Sequence, residues 1–332
     1  MKITSRNLAC AALATVLSSA SVSASELTVY TYSSFTSSWG PGPQLKTLFE
    51  AQCGCSLTFV SSDDGVSLLN RVRLEGSNTR ADLIMGIDDA LMSQARELGL
   101  VQPHGLDLSV WPLRDELSWD DDAFVPFDYG YFAFIYDAER LTEPATSFAE
   151  LLTSGASVIY QDPRTSTPGQ GLMLWINAVH GEQAGEAWQQ LAAQTVTVTK
   201  GWSEAYSMFL KGESDYVLSY TTSPAYHLVA EEESRYRAAE FSDGHVAQIE
   251  VAALSAHAQQ VELAQQFLQF LLSEEAQSVI PVTNWMLPVR DDIELPDAFD
   301  TLIQPTRIGF SPEVIQQSRP DWIREWRNAV SQ

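Results

Sequence analysis

The side chains able to carry bond-making chemistry are few and poorly arranged for it. Five histidines, His104, His180, His227, His245 and His257, are scattered along the chain, and none pairs with another at helical spacing around a glutamate, the pattern of a zinc hydrolase. A Gly-x-Ser-x-Gly elbow and a phosphate-cradling Gly-x4-Gly-Lys-Ser/Thr loop are both absent, and Gly169-Gln170-Gly171 lacks the third glycine of a nucleotide fingerprint. Carboxylates come in neighbours at Asp63-Asp64, Asp88-Asp89 and Asp120 to Asp122, which in so acidic a chain read as solvated turns. Cys53 and Cys55 flank Gly54 with no histidine nearby, a poor zinc site; a strained disulfide, a lone metal-binding pair and packed thiols all remain open. Without a positioned nucleophile, base or metal, the reading is a protein that is not an enzyme, with no metal site. What the sequence does offer is aromatic and hydroxyl side chains in loop strings. Flat aromatic faces attract rings and cations, hydroxyls donate hydrogen bonds, and helix starts hold anions.

The elements that must position these loops alternate strand and helix. Leu27 to Tyr32, Leu57 to Val60 and Ala81 to Met85 read as strands, with helices over 43–53 and 66–74 between them. A long extended aromatic run from Ala123 to Tyr136 precedes a second series: strands at 158–160, 196–198 and 216–220, and helices at 170–180, 185–194 and 203–211. Ala247 to Leu254 is another extended run, followed by helices at 260–272, 274–280 and about 320–330. The alternation implies parallel α/β sheets. Two extended crossings divide the chain into residues 25–126 plus 255–332 as lobe 1 and 127–254 as lobe 2, with a cleft and hinge between them.

The strings themselves are distinctive. They are Tyr30-Thr31-Tyr32 with Trp39-Gly40-Pro41-Gly42-Pro43, Asp64 to Arg71, Pro126-Phe127-Asp128-Tyr129-Gly130-Tyr131, Tyr160 to Gly169, Lys200 to Tyr206, Ser219 to Tyr226, and Asn284 to Val289. Together they resemble the periplasmic thiamine-binding proteins of bacterial ABC importers, over essentially the whole chain after its N-terminal segment. The resemblance implies a type II periplasmic-binding-protein fold, two α/β lobes joined by a two-strand hinge with the ligand in the cleft. It implies thiamine, and with it thiamine monophosphate and pyrophosphate, as ligand, no cofactor, and delivery to a membrane permease with a cytoplasmic ATPase. By the same resemblance, Asp64, Gly65, Ser166, Thr167, Trp202, Tyr220, Thr221, Thr222 and Ser223 match ligand contacts. Tyr32, Trp39, Tyr226 and Trp285 are added as candidate aromatic walls. Such a ligand needs ring faces for its aminopyrimidine and thiazolium, where cation–π attraction is worth about 0.5–2 kcal/mol per good contact, and donors for its tail. Loops at the carboxyl ends of strands are where α/β folds place them.

The bulk properties fit this reading. With 332 residues, 45% hydrophobic and 19% charged, the chain can fill two cores. Lys2 and Arg6 precede an apolar stretch from Leu8 to about Leu17 and a small-x-small site ending at Ala24, so residues 1–24 read as a secretory signal peptide and the mature chain as periplasmic. The net charge of −24 becomes −26 after cleavage, which repels nucleic acid and anionic membranes and agrees with a cationic ligand. A monomer is the family's default. Three rival readings stand: a polyamine-binding protein, a ferric-iron-binding protein, for which an adjacent Tyr-Tyr pair is missing, and a thiamine-degrading enzyme, which would need a cysteine nucleophile.

Overall fold

A computed structural model describes residues 25–117 and 119–331, so the expected signal peptide at 1–24 lies outside the described residues. The first half of the chain runs β1 (Glu26–Tyr32), α1 (Ser33–Thr36), α2 (Gly42–Cys53), β2 (Ser56–Ser62), α3 (Gly65–Glu75), β3 (Leu83–Asp88), α4 (Asp89–Glu97), β4 (Val101–Gln102) and the long β5 (Phe124–Asp137). Next come α5 (Phe148–Thr153), β6 (Val158–Gln161), α6 (Thr167–His180), α7 (Ala184–Gln194), β7 (Thr195–Thr199), α8 (Trp202–Leu210), β8 (Tyr216–Tyr220), α9 (Ser223–Ala230), β9 (Tyr236–Ala238) and β10 (His245–Ser255). The chain ends with α10 (Val261–Leu271), α11 (Glu274–Val279), β11 (Leu287–Pro288), β12 (Arg307–Ile308) and α12 (Pro312–Val330).

The strands follow the order β2-β1-β3-β10-β5-β8-β6-β7. Each flank is parallel, β1 with β2 and β3 on one side, β6 with β7 and β8 on the other. The middle is antiparallel: β10 lies between β3 and β5, and β5 between β10 and β8. The two long strands β5 and β10 are therefore the connection between two parallel α/β halves. This is the mixed arrangement of a type II binding-protein fold.

Two apolar cores lie on either side. The first gathers Leu27, Val29, Leu83 and Ile84 with Phe124, Val125, Phe127 and Tyr129, Ile249 and Val251 to Leu254, and Phe267, Leu268 and Phe270 to Leu272. The second gathers Phe132, Phe134, Trp175, Trp188, Tyr216 and Val246. The cores thus exchange between residues 129 and 132 on β5 and between 246 and 249 on β10, inside the extended runs, not at the run-based limits of 126/127 and 254/255. A single strand serves both cores without a change of residue type, so hydrophobicity alone does not mark the point of exchange. The C-terminal helix differs more. Ile315, Trp326 and Ala329 of α12 belong to the second core, although the sequence limits grouped 255–332 with lobe 1. Its Arg319 is buried and reaches back to α4, donating to the Ala90 carbonyl and, at 2.9 Å, to Gln94 Oε1.

Helix ends follow local chemistry. Asp64 caps α3 and Ser166 caps α6, with Pro168 in the first turn, where its missing N–H costs nothing. Gly76 and Gly181 end these helices with φ of 53° and 52°. Cys53 and Cys55 are joined as a disulfide, with Cα atoms 5.1 Å apart, where α2 turns into β2.

Candidate functional site

The loops carrying the distinctive strings converge where the halves face each other. From the first half, Asp64 presents its carboxylate to the N-termini of two helices. Oδ1 accepts from Gly65 N at 2.7 Å and Thr167 Oγ1 at 2.8 Å, and Oδ2 accepts from Ser166 Oγ at 2.7 Å. Beside it, Ser67 donates through its backbone N–H and its hydroxyl to the Thr165 carbonyl at 3.1 and 3.0 Å. The halves are therefore bonded to each other, and the cleft is closed. Gly65 sits so near this seam that a Cβ would lie 2.5 Å from the Gly86 carbonyl and 2.9 Å from the Thr167 methyl. Gly201, which opens α8, faces the Asp63 carbonyl across the same seam. Three helix N-termini, of α3, α6 and α8, thus meet at one place, a ready setting for an anionic group. Burial raises the Asp64 carboxyl above its usual range despite these donors.

Aromatic side chains line both margins. Trp202 stacks on Tyr206 with ring centres 4.9 Å apart, and Trp39 from the opposite half stands 6.2 Å from Trp202. Trp39 is half exposed, the kind of open indole face a ring can cover. Further along, Tyr226 and Trp285 meet edge to face at 5.5 Å, with Trp285 held in the left-handed region at φ 57°. For a tryptophan that conformation is strained, and it aims a side chain that ordinary backbone would direct elsewhere.

Between these margins runs an unbroken chain of hydrogen bonds. Trp202 Nε1 donates to Ser219 Oγ at 2.7 Å, and the Ser219 and Ser223 hydroxyls are hydrogen-bonded at 2.7 Å, with either able to donate. The Tyr220 N–H donates to Ser223, and the Tyr220 hydroxyl donates to Gln248 Oε1 at 2.9 Å. Gln248 Nε2 and the Tyr32 hydroxyl then donate to the two oxygens of Glu250 at 2.9 and 2.7 Å. Asn284 donates to the Tyr32 oxygen at 2.9 Å and to Asp128 Oδ2 at 2.7 Å. Thr222 is buried against Met286, and the buried Thr221 donates its N–H to the Tyr131 carbonyl.

Of the thirteen residues singled out from sequence, Asp64, Gly65, Ser166, Thr167, Trp39 and Trp202 meet across the junction, Tyr32, Tyr220 and Ser223 belong to the hydrogen-bonded chain, Thr221 and Thr222 adjoin it, and Tyr226 and Trp285 contact each other. The hydroxyls of Ser166 and Thr167, expected to donate to a ligand tail, are engaged by Asp64 in the closed state. Sequence reasoning passed over Asp128, Gln248, Glu250 and Asn284. Glu250 did leave a signal: it is the one charged residue of the apolar run Ala247 to Leu254. Two open grooves, of about 590 and 570 Å³, lie elsewhere, along α6, α7 and α12 and beside the disulfide. Among the described residues no helix is long and apolar enough to cross a membrane, and no group of histidine, cysteine or acidic side chains has a metal-binding arrangement.

Residues 34–278 match the model of the bacterial extracellular solute-binding protein family. The chain is 54% identical over 308 residues to the thiamine-binding periplasmic protein of Escherichia coli strain K12, covering 92% of this chain and 93% of that one. It is 43% identical to the protein of the same name from Haemophilus influenzae, over 91% and 92% of the two chains. A solved periplasmic thiamin binding protein superposes with a TM-score of 0.90 at 53% identity, covering 92% of this chain and 96% of its own. A ferric binding protein from Campylobacter jejuni shares the fold alone, with a TM-score of 0.77 at 17% identity. The two-lobed fold, the closed interlobe junction and these similarities together place the chain in the bacterial extracellular solute-binding protein family.

Proposed function

We propose that this protein binds thiamine, or its mono- or pyrophosphate, in the cleft and delivers it in the periplasm to the permease of an ABC importer, without catalysis and without a cofactor. The observation that carries the reading is the 54% identity, over nearly the full length, to a thiamine-binding periplasmic protein. The site agrees with it. Opposed indoles at Trp39 and Trp202, with Tyr226 and Trp285 beyond, offer faces to the two rings. The N-termini of α3, α6 and α8 offer N–H groups to a hydroxyl or phosphate tail, and Tyr32, Tyr220 and Thr221 to Ser223 supply the polar floor between them. The rival degradative reading needs a cysteine nucleophile, and Cys53 and Cys55 are bonded to each other at the end of α2. A monomer working with a two-lobe closure suffices for this task.

Isothermal titration of the mature protein, unfolded and refolded to strip any carried ligand, tests the proposal. One-to-one binding of thiamine, with spermidine and ferric citrate giving no heat, is the expected result, and Trp202→Ala should weaken it at least tenfold. Folded, ligand-free protein that ignores thiamine but binds spermidine would overturn the reading.

A further inference from the structure

Three carboxylates lie in a row across the hinge. Glu250 on β10 pairs in register with Asp88 on β3 and with Asp128 on β5, so the three side chains share one face of the central sheet. Asp128 and Glu250 are buried. Every donor that reaches this pair is neutral: Asn284, Tyr32 and Gln248. Asp128 Oδ1, fully buried, has no hydrogen-bond partner at all. Among the described residues no lysine or arginine is bonded to either carboxylate. Arg319 interacts electrostatically with Asp88, the outer member of the row. A buried carboxylate pair with neutral donors and no counter-ion is costly to ionise, and proteins meet that cost by retaining a proton or by binding a cation.

We propose that Asp128 and Glu250 are the charge-reading pair of the cleft: they hold their protons when the cleft is empty and release one to solvent when a permanently cationic ring docks against them. This rests on the thiamine reading and adds the group that recognises the ligand's charge. The neighbours of the pair are Tyr32 from β1, Asp88 from β3, Tyr220 from β8, Asn284 from the segment before β11, and Asp64 at the start of α3, and none brings a positive charge. Burial, reinforced for Glu250 by the other carboxylates, raises both acids well above their usual range, Asp128 to about 8. The protonated pair is then the resting state at neutral pH. Because only the ionised pair matches the cation, thiamine affinity should rise by up to about tenfold per pH unit through that range and level off above it.

The experiment is calorimetric titration of stripped, refolded protein with thiamine and with 3-deazathiamine, its neutral isostere, between about pH 6 and 9 in buffers of different ionisation enthalpy. Wild type should release about one proton per thiamine bound near pH 7 and none per 3-deazathiamine, and should prefer thiamine at least tenfold. Asp128→Asn and Glu250→Gln, which put a neutral isostere where a protonated acid rests and so should fold, should each cut that preference and reduce the proton release. Thiamine binding with no proton exchange at any pH, and a preference over 3-deazathiamine unchanged in both variants, would overturn this proposal alone. Absence of thiamine binding across the whole pH range would overturn the functional reading and this proposal with it.

Discussion

Asp64 shows how one side chain can serve helix ends in both halves. Its carboxylate caps α3 and accepts hydrogen bonds from the hydroxyls of Ser166 and Thr167 at the start of α6. Removing it leaves buried donors unpaired, so Asp64→Ala should cost about 1–3 kcal/mol of stability in urea unfolding, with Asp64→Asn keeping part of that. Its capping role is visible in the sequence, since an aspartate before a glycine and an apolar helix is a local signal. Asp128 and Asn284 leave no such signal. They meet from segments 156 residues apart, and that meeting depends on the register of β5 against β10 and β11. Glu250 is intermediate: its position inside an apolar strand is legible, its partners are not.

Among the elements, β1 to β3, β5 to β8, β10 and the helices α2, α3, α6 to α8, α10 and α11 are legible to within a few residues, because each follows its own period and caps, whereas α1, α4, α5 and α9 are not read from the sequence. β8 falls where its run of apolar residues predicts, and α6 begins three residues before the expected start because Ser166 and Pro168 open it earlier. Pro320 hides the first half of α12: a proline reads as a helix boundary, yet the helix runs through it from Pro312 to Val330. Close approach of elements is likewise invisible until they meet. At the seam between α3 and α6, Gly65→Ala would push a methyl group into the Gly86 carbonyl and the Thr167 side chain. It should lower stability by about 1–3 kcal/mol and weaken ligand binding together, measured by thermal unfolding with and without thiamine. A variant with unchanged affinity would mean that the seam opens without hindering capture.

For the whole molecule, the hinge acids link stability to pH. Burial pushes Asp88 and Asp128 up to about 8, so the folded state holds protons that the unfolded chain releases near pH 4. The folded state thus binds more protons than the unfolded one between those values, and stability must fall as pH rises through that window. Buried His227 and His245, whose pKa values are lowered chiefly by burial, act oppositely, and only below about pH 6.5. The ligand-free protein should therefore lose thermal midpoint from about pH 6.5 to 8.5 in scanning calorimetry, and saturating thiamine should flatten the decline. A midpoint that climbs over this range would contradict the hinge electrostatics.

The course of the chain beyond Val289 bears on how such a molecule moves. After Val289 in the first core the chain returns to the second, where β12 pairs with β10 and α12 packs, while Arg319 stays anchored in α4. Two strands lying side by side resist sliding but leave torsion free. A third attachment, set off to one side of them, takes torsion away as well. Any parting of the two rims must therefore carry this offset tether along with the paired strands, which narrows the ways in which the cleft can open.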